Sequence, residues 1–243
     1  MKEQEDIFEN KILMSVGEKY SPTKLLTGFM ARRGALYNNE LMVVGRAVNG
    51  WISEEDACPA HAFLNPEKRR LFRVAAQAVL DENNICPMQW VVQDWVRSEG
   101  YRTNRSAFWR VIKSLILRLN IDGVNEDNWP SYLVWSNLYK ISPYKGRNPS
   151  DKLCSIQRDA CNELFQQELL EYKPKRLLLL TGENWAKDFL PDDCSCNNNS
   201  GLYVHASGVL NNAQNTKVVV ACHPERKKET LWGQEVYSAF ETI

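Results

Sequence analysis

Two polar residues close short apolar runs and carry side chains suited to one kind of chemistry. Asn137 ends the run Tyr132-Leu-Val-Trp-Ser-Asn137, and His223 follows Lys217-Val-Val-Val-Ala-Cys222. An asparagine amide presents a donor and an acceptor side by side, a pair that matches the edge of a pyrimidine base. A histidine at a strand end can donate a hydrogen bond to a developing oxyanion. Each has an ordinary alternative: a strand-end asparagine satisfies loop amides, and His-Pro closes a turn. Their joint occurrence at equivalent places favours the chemical reading.

The remaining strand ends add to it. The first apolar run leads into Gly45-Arg46-Ala47-Val-Asn49-Gly-Trp51, and the third into Thr181-Gly182-Glu-Asn184. Gly45 and Ala47 are small enough to let a ligand approach the backbone closely. The same loops carry Arg46, Lys140, Lys145, Arg147, Lys152, Arg226, Lys227 and Lys228. Arg46, Lys140, Arg147 and Arg226 read as a rim that grips phosphates. The alternative is a solvated face balanced by Glu54, Glu55, Asp56, Asp151 and Glu225.

Positioning these groups requires a sheet. The runs Leu41–Gly45, Tyr132–Asn137, Arg176–Gly182 and Lys217–Cys222 are short, apolar and bounded by turn residues, the pattern of buried parallel strands. Helical spacing fills the gaps. Pro66–Leu80 opens with Asn65 as a cap and Pro66 at the first helical position. Arg105–Leu119 carries an apolar stripe, Ser150–Glu171 runs up to a Lys173-Pro174 stop, and Lys228–Phe240 forms a last helix. Strands alternating with helices predict an α/β protein with a parallel sheet, whose ligands bind beyond the carboxyl ends of the strands. The Trp-rich segment Ile85–Tyr101 reads as an extra helix or lid, and Asp192–Thr216 as a surface loop with a short hairpin including Leu202–Ala206. One domain over 1–243 is expected, with an inserted helical segment at about 85–128.

The 243 residues are 44% hydrophobic and 25% charged, with 30 basic residues against 30 acidic ones, so nucleic-acid binding needs a local patch. The eight tryptophans read first as core packing and second as stacking platforms. Seven cysteines, an odd number without a Cys-x-x-Cys pair, together with a polar start, predict reduced thiols and a cytoplasmic setting. No run reaches membrane-spanning length, so no membrane partner is expected, and a monomer is favoured. Cys194-Ser-Cys196 with His205 lacks the spacing of a zinc finger or ribbon. Cys222 and His223 are adjacent and so point to opposite faces of a strand, which disfavours a nucleophile–base pair. No metal or cofactor is expected.

Taken in order, these segments resemble the uracil-DNA glycosylase superfamily, with the closest look to its iron–sulfur branch. Gly45-Arg46-Ala47 looks like the first motif loop, and Asn137-Leu-Tyr-Lys140-Ile-Ser-Pro143 with Arg147-Asn-Pro149 looks like the second. Cys161-Asn-Glu-Leu-Phe165, Lys173-Pro174, the third strand with Gly182, and His223-Pro224 continue in register over roughly residues 40–65 and 130–240. The resemblance implies a three-layer α/β/α fold around a central four-stranded parallel sheet. It implies that Asn137 reads a base, that His223 stabilises the departing base, and that an aromatic ring stacks on the base; Phe63 is the candidate and Trp51 its competitor. Such enzymes act on a base extruded from DNA.

Departures accompany it. Arg46 stands where an acidic residue is found, and Ala47 where other branches have Asp or Asn; Asn49 or Glu54 are the substitutes at hand. Ile141 replaces one cluster cysteine and only Cys161 matches, so no cluster is expected. The expected function is base release from DNA. The alternatives are an inactive member of the same fold that binds nucleic acid or a protein partner, and an enzyme of small nucleotides or nucleosides.

Overall fold

The computed structural model describes residues 2–77, 86–146, 148–191, 194–198, 201–211 and 214–243. Helix α1 comprises Lys2–Asp6, Ile7–Leu13 and Met14–Lys19, the middle stretch wound with the wider π spacing. There follow β1 (Leu25–Gly28), β2 (Arg32–Arg33), β3 (Leu41–Ala47), β4 (Cys58–Pro59), α2 (Pro66–Gln77), α3 (Trp90–Gln93) and α4 (Ala107–Arg118). The chain continues through β5 (Leu133–Tyr139), β6 (Ile141–Pro143), α5 (Asp151–Tyr172), β7 (Arg176–Leu179) and α6 (Glu183–Ala186). It ends with β8 (Asn197–Asn198), β9 (Val204–Val209), β10 (Lys217–Ala221) and α7 (Glu229–Thr242).

The four expected strands are β3, β5, β7 and β10, and the four expected helices are α2, α4, α5 and α7. Asn65 caps α2 as its position predicts, its Oδ1 accepting the N–H groups of Glu67 at 2.8 Å and Lys68 at 3.3 Å. The expected end of that helix at 78–80, and Ile85, lie outside the described residues.

The larger sheet has the order β2-β5-β3-β7-β10-β9-β8 and is mixed in orientation. The pairs β3/β7 and β7/β10 are parallel, whereas β2 on β5, β9 on β10 and β8 on β9 are antiparallel. Leu41, Met42, Val43 and Val44 of β3 have no exposed surface, which is why that run shows no alternation. In β9 buried and half-buried residues alternate. The hairpin expected within Asp192–Thr216 is the β8/β9 pair, and it lays antiparallel strands along the edge of β10. A second sheet, β4-β1-β6, is antiparallel throughout.

Two compact units divide the chain. The first comprises Met1–Ala31, Gly45–Ala78 and Ser136–Glu171 and contains the small sheet, α1, α2 and α5. Its core includes Phe8, Ile12, Leu13 and Val16 of α1, all without exposed surface. Gly28 on β1 admits the ring of Phe72 from α2: a Cβ there would lie 2.5 Å from Phe72 Cε1. The α1–α2 contact also carries charge, Arg73 pairing with Glu9 and Glu5, and Arg69 Nη2 donating to Asn10 Oδ1 at 3.3 Å.

The second unit comprises Arg32–Val44, Val79–Trp135 and Tyr172–Ile243. It holds the larger sheet, with the ends of β3 and β5 from Gly45 and Ser136 onward belonging to the first unit. Here the tryptophans are core packing. Trp90, Trp109 and Trp135 meet with ring centroids 5.0–6.0 Å apart, and Trp129 packs on both Trp95 and Trp109 at 6.2 Å. Trp90, Trp109, Trp129 and Trp232 are buried and the rest are half-buried. The segment expected as a Trp-rich lid contributes one short helix, α3, and its Trp90 belongs to this cluster. Among the described residues no helix is long and apolar enough to cross a membrane.

Candidate functional site

Asn137 lies in strand β5, two residues before its end, in the first unit. It is 3% exposed, and its Nδ2 is buried with no hydrogen-bond partner among the described residues. An unmet buried donor costs roughly 1–3 kcal/mol, so native structures rarely keep one without a use for it. Ser142 on β6 repeats the feature: it has no exposed surface, and its Oγ has no partner among the described residues. Ser142 stands opposite Thr27 of β1, whose Oγ1 accepts the Ile52 N–H at 3.3 Å. The loop after β3 is thereby fastened at Ile52 to the small sheet.

Beneath β5 lies a charged network. Lys140 Nζ donates to Glu168 Oε1 at 2.7 Å and to Ser136 Oγ at 2.8 Å, and Ser136 Oγ donates to Glu168 Oε2 at 2.7 Å. Lys140, Ser136 and Glu168 have no exposed surface. This corrects the expectation that Lys140 stands on a phosphate-gripping rim: its ammonium is consumed inside the fold by a helix carboxylate. Next along the chain, Gln157 of α5 brackets Ile141, accepting its N–H at 3.0 Å and donating to its carbonyl at 2.9 Å. Cys161 donates to the same Gln157 Oε1 at 3.4 Å, and burial pushes its thiol up to about 12. The one cysteine that matches a cluster ligand is thus a protonated core residue.

The first strand end is the loop from Gly45. Gly45 is buried, Arg46 and Ala47 are half-buried, and Asn49 is exposed. Gly146, at φ +61°, lies against this loop, and a Cβ there would come within 2.7 Å of Asn49 Oδ1. Only a residue without a side chain, in a left-handed conformation, allows that approach. Asn49 and the loop that follows β6 are therefore neighbours. Arg147, next in that loop, lies outside the described residues.

The two aromatic candidates differ. Phe63 has no exposed surface and packs edge-on to Phe72 at 4.7 Å, so its ring is enclosed by the first unit's core rather than offered to a ligand. Trp51 is half-buried and stands edge-on to Phe29 at 5.1 Å, which fixes its plane while leaving part of its surface to solvent. Of the two, Trp51 is the one with exposed surface.

His223 belongs to the second unit, at the end of β10. The ring is half-buried and lies nearly parallel to Phe108 of α4, 22° between planes and 6.4 Å between centroids. Its Nδ1 accepts the Glu225 N–H at 3.3 Å, which makes Nε2 the protonated nitrogen of the neutral ring and its donor. The preceding Cys222 is held by Trp232, whose Nε1 donates to the Cys222 carbonyl at 3.0 Å, and burial raises its thiol above the usual range. A thiol raised in this way is a poor nucleophile. Arg226 is 92% exposed at its side chain, with Glu225 3.9 Å away. At the end of β7, Gly182 turns the chain at φ +77° and donates to the Ala221 carbonyl at 2.9 Å.

Cys194 and Cys196 are joined as a disulfide, which amends the expectation of wholly reduced thiols. Among the described residues no group of three or more His, Cys, Asp or Glu is gathered to hold a metal ion. Sequence reasoning did not foresee Glu168, Ser136, Ser142 or Gly146. No protein-family model matches the chain, and no curated protein matches it.

Proposed function

We propose that this chain is a uracil-DNA glycosylase-like protein that receives a nucleobase of DNA on Asn137 and releases it by hydrolysis. The observation that carries the reading is the buried amide of Asn137, whose Nδ2 has no partner among the described residues. A pyrimidine carbonyl supplies the acceptor that this donor lacks, and the amide oxygen accepts the adjoining ring N–H. His223, with Nε2 the donor, stabilises charge on the departing base. Trp51 takes the stacking role in place of Phe63, and Arg46 and Arg226 contact phosphates. In this reading β5, β3, β7 and β10, adjacent in that order, form the four-stranded parallel centre of a three-layer α/β/α fold. The parallel pairs β3/β7 and β7/β10 support it.

The test is base release by the purified chain from single- and double-stranded oligonucleotides carrying uracil or another deaminated base. Release by the unmodified protein, abolished in Asn137→Ala, is expected. A folded protein that releases no base from any of them overturns the hydrolytic reading.

A second reading follows from the first strand end. With Arg46 and Ala47 in place of an acid or amide, the same fold serves as a DNA-binding protein without turnover. It predicts binding that weakens steeply with salt and no base release. Loss of binding at low salt removes it.

A further inference from the structure

Ser136, Lys140 and Glu168 form a closed ring of charge-assisted hydrogen bonds, each 2.7 or 2.8 Å long, with no exposed surface at any member. Burying a lysine and a glutamate is costly, and an apolar pair of the same size commonly gives equal or greater stability. Packing β5 against α5 does not by itself call for charge. What directed hydrogen bonds supply, and apolar contacts do not, is a fixed orientation.

The residue whose orientation is fixed is Asn137. Ser136 precedes it, and Ser136 Oγ also comes within 3.5 Å of the Asn137 carbonyl oxygen. Lys140 follows it by three residues, and Gln157 holds both polar groups of the Ile141 backbone. Helix α5 therefore pins the chain on both sides of Asn137. Side chains alternate along a strand, so Ser136 points toward the network while Asn137 is directed to the opposite face of β5. From that geometry we infer that Ser136, Lys140 and Glu168 are positioning residues, which hold the Asn137 amide in the orientation that reads a ligand carbonyl. The inference rests on the proposal that Asn137 reads a base, and two separate readouts keep them apart.

The first readout is the Kd for a single-stranded oligonucleotide carrying one uracil, against the same strand carrying thymine. The second is the side-chain amide resonance pair of Asn137 in nitrogen–proton spectra of the full chain, assigned by its loss in Asn137→Ala. The double variant Lys140→Met with Glu168→Leu removes both charges together. It is expected to melt within about 5 °C of the unmodified protein. Its preference for uracil falls about tenfold, the effect of a displaced binding group, and the Asn137 amide signals shift and broaden. Ser136→Ala moves both readouts the same way by a smaller amount, and it decides the matter where the double variant does not fold. Unchanged amide signals in a folded variant overturn the positioning role. If the unmodified protein does not prefer uracil while the variant still disturbs the amide signals, the positioning role stands and the base reading falls.

Discussion

Lys140 Nζ lies 2.7 Å from a Glu168 carboxylate oxygen, and solvent reaches at most 1% of either side chain. Removing one partner strands the other charge in a medium that cannot solvate it. Glu168→Leu and Lys140→Met are each expected to cost about 3–5 kcal/mol, while the double variant lies much closer to the unmodified protein. Urea unfolding of the four proteins measures this as a coupling energy. Purely additive losses would mean that the pair does not interact as described.

Asn137 gives the opposite expectation. Its buried Nδ2 has no partner among the described residues, a penalty of roughly 1–3 kcal/mol that a leucine of similar size does not bear. Asn137→Leu is therefore expected to raise the melting temperature by several degrees, about 2–4 °C per kcal/mol for a chain of this size. The same substitution abolishes uracil binding. A variant that melts lower shows that the amide is satisfied within the protein, and the main support for the base-reading proposal is lost.

The strands that place Asn137 and His223 are legible in the sequence because β3, β5, β7 and β10 are apolar runs of strand length, and Asn65 announces α2 by its cap. Helix α1 is not. Its first residues are dominated by Glu3, Glu5, Asp6 and Glu9, and its buried Ile7, Phe8, Ile12 and Leu13 keep to one side only because the helix widens to π spacing there. Strands of two to four residues such as β1, β4 and β6 are too short to show a period. The misplacement of Lys140 had a readable remedy. Along α5, Glu168 shares a stripe with Cys161, Leu164, Phe165 and Tyr172, and a carboxylate on an apolar stripe requires a buried cation. For Phe63 no comparable signal exists, since one aromatic in a short turn reads the same whether its ring faces core or ligand.

Cys154 and Cys161 make stability sensitive to alkali. Burial raises both thiols from 9.0, to about 11 and about 12 respectively. The native state therefore holds protons that the unfolded chain gives up, and stability falls wherever the unfolded state binds fewer protons. Their contribution is fully present below pH 9 and is lost as the pH rises from there through about 11 and 12. Urea midpoints across this window are expected to decline less in Cys154→Ala with Cys161→Ala than in the unmodified chain. Identical slopes would show that neither thiol is shifted by burial.

The role proposed for His223 separates binding from release. Its Nδ1 already accepts the Glu225 N–H, so the neutral ring has its proton on Nε2, and its plane is steadied by Phe108 at 6.4 Å. A donor aimed at charge that develops only as the base departs adds little to the affinity for intact DNA. His223→Ala is therefore expected to lower the rate of base release by about 10²–10³-fold, the usual effect of removing one such donor. The Kd for the uracil oligonucleotide should change less than threefold or so by the same argument. Phe108→Leu, which keeps an apolar contact but removes the parallel ring, should reduce release to a smaller extent and leave affinity alone. A His223→Ala variant that loses affinity and rate in equal proportion would place the imidazole in ground-state binding, and the leaving-group assignment would have to pass to another donor.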